Sequence, residues 1–252
     1  MQPSPEGSAR PWGLAATALF SVLIAAVFFV VQELVSGAVP LRLEPSDADS
    51  QAKGLSALLL AVSVLLAAPS GIALILIFAA LRRGISLRFY LALNTPSLRI
   101  SIRWFVYLVI FILVFHAVAF IFGRPPVTDF ELRAFRSVYL IPVLLLAFVV
   151  VAPCFEELFF RGFIFSGVAS SALGVIGALI TTSVLWAMMH AFVEILMIFA
   201  GHAPTEILKI FSLGLLLGYA RWKTNSVYVP IGLHGLWNLS IAVETMLRLA
   251  RF

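Results

Sequence analysis

Charge is what this sequence has least of. Asp, Glu, Lys and Arg make up 12% of its 252 residues, hydrophobic residues make up 62%, and mean hydropathy is +1.08. A soluble domain carries about 25% charged and about 45–50% apolar residues. The chain cannot cover a water-facing surface of its size, which excludes a water-soluble fold and selects a polytopic membrane protein. Cysteine is nearly missing too. Cys154 stands alone, which rules out an intrachain disulfide and a cysteine-based metal site. No base lies at a recognisable spacing from it, so it reads as a small packing residue. There is no tandem repeat, no low-complexity segment and no separable soluble domain. The net charge of +5 does not point to a nucleic-acid partner, because the arginines lie between apolar runs, where membrane topology accounts for them.

What the sequence does have is apolar runs. A spanning helix needs about 20 mostly apolar residues. Runs of that kind fall at 13–32, 54–81, 104–123, 137–155, 175–199, 205–222 and 227–248. The expected fold is therefore all-α, a polytopic membrane bundle of about seven transmembrane helices, with about three spans in 1–137 and about four in 138–252. Pro69-Ser70-Gly71 predicts a kink or break in the second run, and the small residues between Gly167 and Gly177 predict a turn before the fifth. The first run is longer than the about 7–15 residues of a signal-peptide core and lacks a clear cleavage site, so it reads as a retained helix.

Acidic residues are absent where the arginines are densest. Arg82, Arg83, Arg88, Arg99 and Arg103 follow the second run with no Asp or Glu among them, whereas Glu44, Asp47 and Asp49 stand against Arg42 and Lys53 in the preceding connection. A Lys/Arg excess marks the cytoplasmic side. The expectation is an integral protein of the plasma or inner membrane, with the N-terminus, Arg221 and Lys223 cytoplasmic and the 124–136 loop outside. The stretch 84–90 is expected along the interface, with Phe89 and Tyr90 as anchors.

Polar residues inside apolar runs are costly, at least about 2.5–3.5 kcal/mol for a central charge on insertion scales, and usually face the bundle interior. Three groups stand out. In Glu156-Glu157-Leu158-Phe159-Phe160-Arg161, Glu157 and Arg161 are i and i+4 and share a helix face, where a bidentate ion pair is expected. Glu156 points elsewhere and is less fully neutralised, which suits a general base. The bland alternative is an ion cluster that fixes helix packing. His190 lies deep in the fifth run, with Trp186 one turn earlier as an apolar wall; a lone buried His is often only a hydrogen-bonded core residue. His234 and Asn238, i and i+4 on the seventh run, can point two donors at one small volume, as an oxyanion site or a metal ligand with its partner requires. They can also serve simply as interhelical hydrogen-bonding groups. His116 has no polar company in the sequence and reads as structural, and His202, beside Pro204, reads as solvated.

In their order and rough spacing these motifs resemble the CPBP family, which groups type II CAAX prenyl endopeptidases with bacteriocin-processing and bacteriocin-immunity membrane proteins. The family pattern is Glu-Glu-x-x-x-Arg, aromatic-x-x-x-His and His-x-x-x-Asn. Here it reads as 156–161, 186–190 and 234–238, and the resemblance covers about 138–247. Trp186 replaces the usual Phe. The resemblance implies a membrane-embedded endopeptidase acting on a protein or peptide in or near the membrane, in contact with membrane lipid. Glu156 would activate the water with help from His190, His234 and Asn238 would bind the oxyanion, and Glu157 and Arg161 would orient Glu156. No cofactor is favoured. Zinc or another divalent metal, held by Glu156, His190 and His234, is the competing account; those ligands would come from three helices, with no His-x-x-x-His pair among them. Two other readings compete: a non-catalytic immunity factor or scaffold, and a proton-coupled transporter with Glu156, His190 and His234 as a relay. The absence of internal duplication disfavours the transporter.

Overall fold

The computed structural model describes residues 9–36, 50–123, 127, 129–136, 141–198 and 204–251. Every regular element among them is helical: α1 Leu14–Ser36, α2 Ser50–Ala80, α3 Leu87–Tyr90, α4 Leu98–Ile121, α5 Asp129–Ala134, then one unbroken helical stretch Ile141–Ala169, followed by α9 Gly174–Ile198, α10 Pro204–Thr224 and α11 Tyr228–Leu249. Within Ile141–Ala169, α6 Ile141–Leu145, α7 Ala152–Glu157 and α8 Phe165–Ala169 alternate with π-helical segments Leu146–Val151 and Leu158–Ile164. Each apolar run of the sequence is helical over most of its described residues. Among the described residues, four spans are long and apolar enough to cross a membrane: Leu14–Val35, Ala57–Ala80, Leu98–Ile121 and Ile141–Ala169. Gly174–His190 adds a shorter apolar helix.

Several local expectations change. Pro69 does not break α2, which continues to Ala80. The Ser70 hydroxyl donates to the Leu66 carbonyl one turn back at 3.0 Å. The fourth run does not stop at Phe155 but carries the double glutamate and Arg161 inside a helix that ends at Ala169. Tyr90 is no interfacial anchor. It is fully buried, its ring lies 5.5 Å from that of Phe163, and burial pushes its phenol up to about 12. The acidic stretch 44–49 and His202 lie outside the described residues, as does the Glu206 side chain.

The chain forms two compact units, each assembled from three stretches. One comprises Met1–Leu23, Leu74–Trp104 and Glu156–Ile231, the other Ile24–Ala73, Phe105–Phe155 and Gly232–Phe252. In the first unit, the segment after α3 is tied to the α10–α11 turn. Val227 N–H donates to Ala92 O at 3.0 Å, the Asn94 amide to Asn225 O at 2.8 Å, and the Ser226 hydroxyl to Asn94 O at 2.5 Å. α9 and α10 approach closely because Gly214 and Gly218 present no side chain. A methyl group on Gly214 would sit 3.2 Å from the Trp186 ring, and one on Gly218 would sit 3.0 Å from Leu179. This is the small-xxx-small packing of membrane helices. Gly214→Val should fold with a thermal midpoint lowered by the equivalent of about 1–3 kcal/mol of overpacking. Heating the detergent-solubilised variant beside the wild type measures it, and an unchanged midpoint would refute the close approach.

The second unit is packed around Ala57, Ala61, Val64, Leu144, Ala147 and Ala242. His116 is not alone there, as its sequence context suggested. Its Nε2 lies 2.9 Å from Glu244 Oε2, and Arg248 Nη2 donates to Glu244 Oε1 at 3.1 Å. Two residues separated by more than a hundred positions could not be paired from sequence.

Candidate active site

Glu156, Glu157, Arg161, Trp186 and His190 all belong to the first unit, and the fold brings them together. Glu157 and Arg161 are completely buried. Arg161 Nη1 donates to Glu157 Oε1 at 2.9 Å. The guanidinium does not spend both arms on the carboxylate, because Nη2 donates to Gly214 O at 3.1 Å. Its flat face lies 4.8 Å from the centre of the Trp186 ring. The buried charge is thus compensated by a carboxylate, a carbonyl and a π face, which is what an ion pair taken out of water requires.

Trp186 does more than form an apolar wall. Its indole N–H donates to Glu156 Oε2 at 2.5 Å, a charge-assisted bond to the carboxylate that a Phe at this position could not make. Glu156 keeps 13% of its side chain exposed and His190 keeps 32%, so both are open to a small reactant. His190 Nδ1 lies 3.0 Å from Trp186 O. A carbonyl only accepts, so Nδ1 carries a proton, and Nε2 is the ring nitrogen that faces Glu156. Nε2 and Glu156 Oε2 are 4.0 Å apart, too far for a direct hydrogen bond and suited to one shared water.

His234 and Asn238 lie on α11 in the second unit. His234 is 3% exposed, and the Asn238 amide donates to Phe148 O at 2.7 Å. The helix carrying Phe148 explains that bond. The π segment Leu146–Val151 closes with Ala152 N–H on Ala147 O, and the next residue, Pro153, has no N–H to offer. Pro153 thus gives no helical bond back to Phe148 or Val149. Asn238 bonds the first carbonyl, and Gly235 lies against the second, so closely that a methyl group there would come within 2.7 Å of Val149 O. The Gly and Asn of the last motif are therefore partly spent on seating α11 against a π turn.

Sequence reading passed over two residues that build the site. Gly214 provides a carbonyl for Arg161, and its signal was the Gly-x-x-x-Gly spacing 214–218. Arg221, expected at the cytoplasmic end of the sixth run, is 4% exposed and donates from Nε to Arg161 O at 3.0 Å. Its only signal was a charge near the end of an apolar run.

Residues 138–240 match the family model described as Rce1-like, the type II CAAX prenyl endopeptidase Rce1-like family. That stretch of the chain is similar to this family. The family resemblance read from the three motifs is supported, and all seven motif residues fall within the Rce1-like span. No curated protein and no solved structure matches the chain. With its apolar helices and Rce1-like core, the chain is an integral membrane protein.

Among the described residues, no three His, Cys, Asp or Glu side chains gather closely enough to ligate one metal ion. Glu156 and His190 provide two donors of the right chemistry for zinc.

Proposed function

We propose that the protein is an intramembrane endopeptidase that hydrolyses peptide bonds of membrane-associated proteins or peptides by a water activated at Glu156. The observation that carries this reading is the Glu156–Trp186–His190 arrangement. A carboxylate is fixed by an indole N–H at 2.5 Å and faces an imidazole across 4.0 Å, both partly open. The neighbouring Glu157 and Arg161 are completely buried.

In this mechanism a water between Glu156 and His190 gives a proton to the carboxylate as its oxygen attacks the scissile carbonyl. The tetrahedral intermediate collapses with cleavage of the C–N bond, and the proton passes from Glu156 to the departing amine. His190 holds the water through Nε2. The oxyanion falls to His234 and Asn238 on the family resemblance. Asn238 keeps a second N–H beyond the one given to Phe148. Glu157 and Arg161 hold the helix turn on which Glu156 stands. The substrate class follows the family description, a peptide bond presented at the membrane, and the site faces the cytoplasmic leaflet if the arginine-rich connection does.

The test is cleavage of a panel of membrane-associated peptides by the protein reconstituted in vesicles. The wild type should cut at least one peptide, and His190→Ala should lower kcat by about 10²–10³-fold. The rate should persist after chelation and removal of divalent metal. Loss of activity on chelation, restored by zinc, would replace the metal-free mechanism. A wild type that cuts nothing would favour a non-catalytic membrane scaffold.

A further inference from the structure

Each of the two π segments of the Ile141–Ala169 helix holds a carbonyl that accepts from a side chain of another helix. In the first, Leu146–Val151, it is that of Phe148, bonded by Asn238. The second, Leu158–Ile164, closes with Phe165 N–H on Phe160 O, after which α8 resumes. Here the carbonyl is that of Arg161. A buried carbonyl without a donor is costly, and here Arg221 Nε is its donor at 3.0 Å. Arg221 therefore does for the second π turn what Asn238 does for the first, although it lies outside the three motifs.

Arg221 is itself held firmly. Its guanidinium lies 5.4 Å from the centre of the Phe165 ring, on the next turn of the helix it grips. Nη1 donates to Asn225 Oδ1 at 3.3 Å. Asn225 has φ +47°, a conformation that Asn tolerates better than most residues, and its carbonyl is bonded to Asn94. A continuous chain of interactions thus runs from the 87–94 segment through Asn225 and Arg221 to the backbone of Arg161. From there the Arg161 side chain reaches Glu157, Gly214 and the face of Trp186, and Trp186 holds Glu156.

We propose that Arg221 is a positioning residue for the Glu156 site, holding open the π turn that sets Arg161 under Trp186. Without it the turn relaxes toward α register and draws Arg161 away from Gly214 and the indole. Glu156 then loses its fixed direction toward His190. The role in catalysis rests on Glu156 being the base; the role in geometry does not.

Two readouts separate these. The first is the indole ¹⁵N–H resonance of Trp186 in protein labelled with ¹⁵N-tryptophan, identified by its disappearance in Trp186→Phe. Arg221→Met should displace that resonance, while Arg83→Gln, at an exposed arginine outside the site, should not. The second is kinetic: Arg221→Met should lower kcat by about tenfold or more with KM within about twofold, as expected when a reacting group is misplaced while substrate binding is intact. Arg221→Lys keeps a long cationic donor, so it should leave the Trp186 resonance near its wild-type position and kcat within about threefold. Should Arg221→Met fail to fold, the lysine variant decides alone. A folded Arg221→Met with an unmoved Trp186 resonance overturns the proposal, as does a folded Arg221→Lys as impaired as a kcat-deficient methionine variant. If the wild type cleaves no peptide, the endopeptidase reading fails while the resonance still judges Arg221.

Discussion

Glu156→Gln should lose about 10²–10⁴-fold in kcat while its KM and thermal midpoint stay close to wild type, the usual range for removing a general base. Glutamine has the same shape, and its amide oxygen still accepts from the Trp186 indole, so the 2.5 Å bond survives. What it lacks is the capacity to take a proton from water. The substitution therefore isolates proton transfer from packing. Cleavage of a reconstituted peptide substrate, measured over a range of concentrations to split kcat from KM, is the measurement. Near-wild-type kcat would remove Glu156 from the mechanism. The double variant Glu156→Gln/His234→Ala extends the test: groups that act as one catalytic unit show losses far from additive, whereas fully additive losses would set His234 apart from the reaction.

Arg161→Met should destabilise the protein by about 3–5 kcal/mol, the cost of leaving the other half of a buried ion pair uncompensated. Both groups are completely buried, so solvent cannot take over the role of the missing guanidinium. The Gly214 carbonyl and the Trp186 face would be left without their partner as well. Replacing both charges, as in Glu157→Leu/Arg161→Met, should recover much of that stability, because the uncompensated carboxylate is gone. It should not recover activity, because Arg161 no longer underlies the indole that holds Glu156. Thermal unfolding in detergent and peptide cleavage on the same preparations give both answers. A single variant as stable as wild type would show that water reaches Glu157. An active double variant would show that the pair serves folding alone.

Much of the helical layout was legible because the bilayer imposes a length. Seven apolar runs near 20 residues could only be helices of similar extent, and α9, α10 and α11 begin and end within about two residues of the expected places, with no propensity argument needed. The Glu157–Arg161 pairing was legible because i,i+4 neighbours meet without any knowledge of tertiary structure. The polar company of His116 was hidden for the opposite reason: its partner Glu244 is distant in sequence and close only after folding. A break at Pro69 does not occur, because the long helix α2 runs through it.

The sequence by itself determined that this chain lives in a membrane, where most of its helices run, and that three polar motifs fall within the stretch that matches the Rce1-like family model. Composition and spacing carry that information because they act through the solvent and through single helices. Only the tertiary structure decided how those residues are used. It turned Trp186 from a wall into a donor, sent one arm of Arg161 to Gly214, and set Asn238 and Arg221 on carbonyls within two π segments. These are consequences of backbone register and of packing between helices. The side chain that bonds a carbonyl within each π segment belongs to another helix, and that neighbour arrives only when the chain has folded.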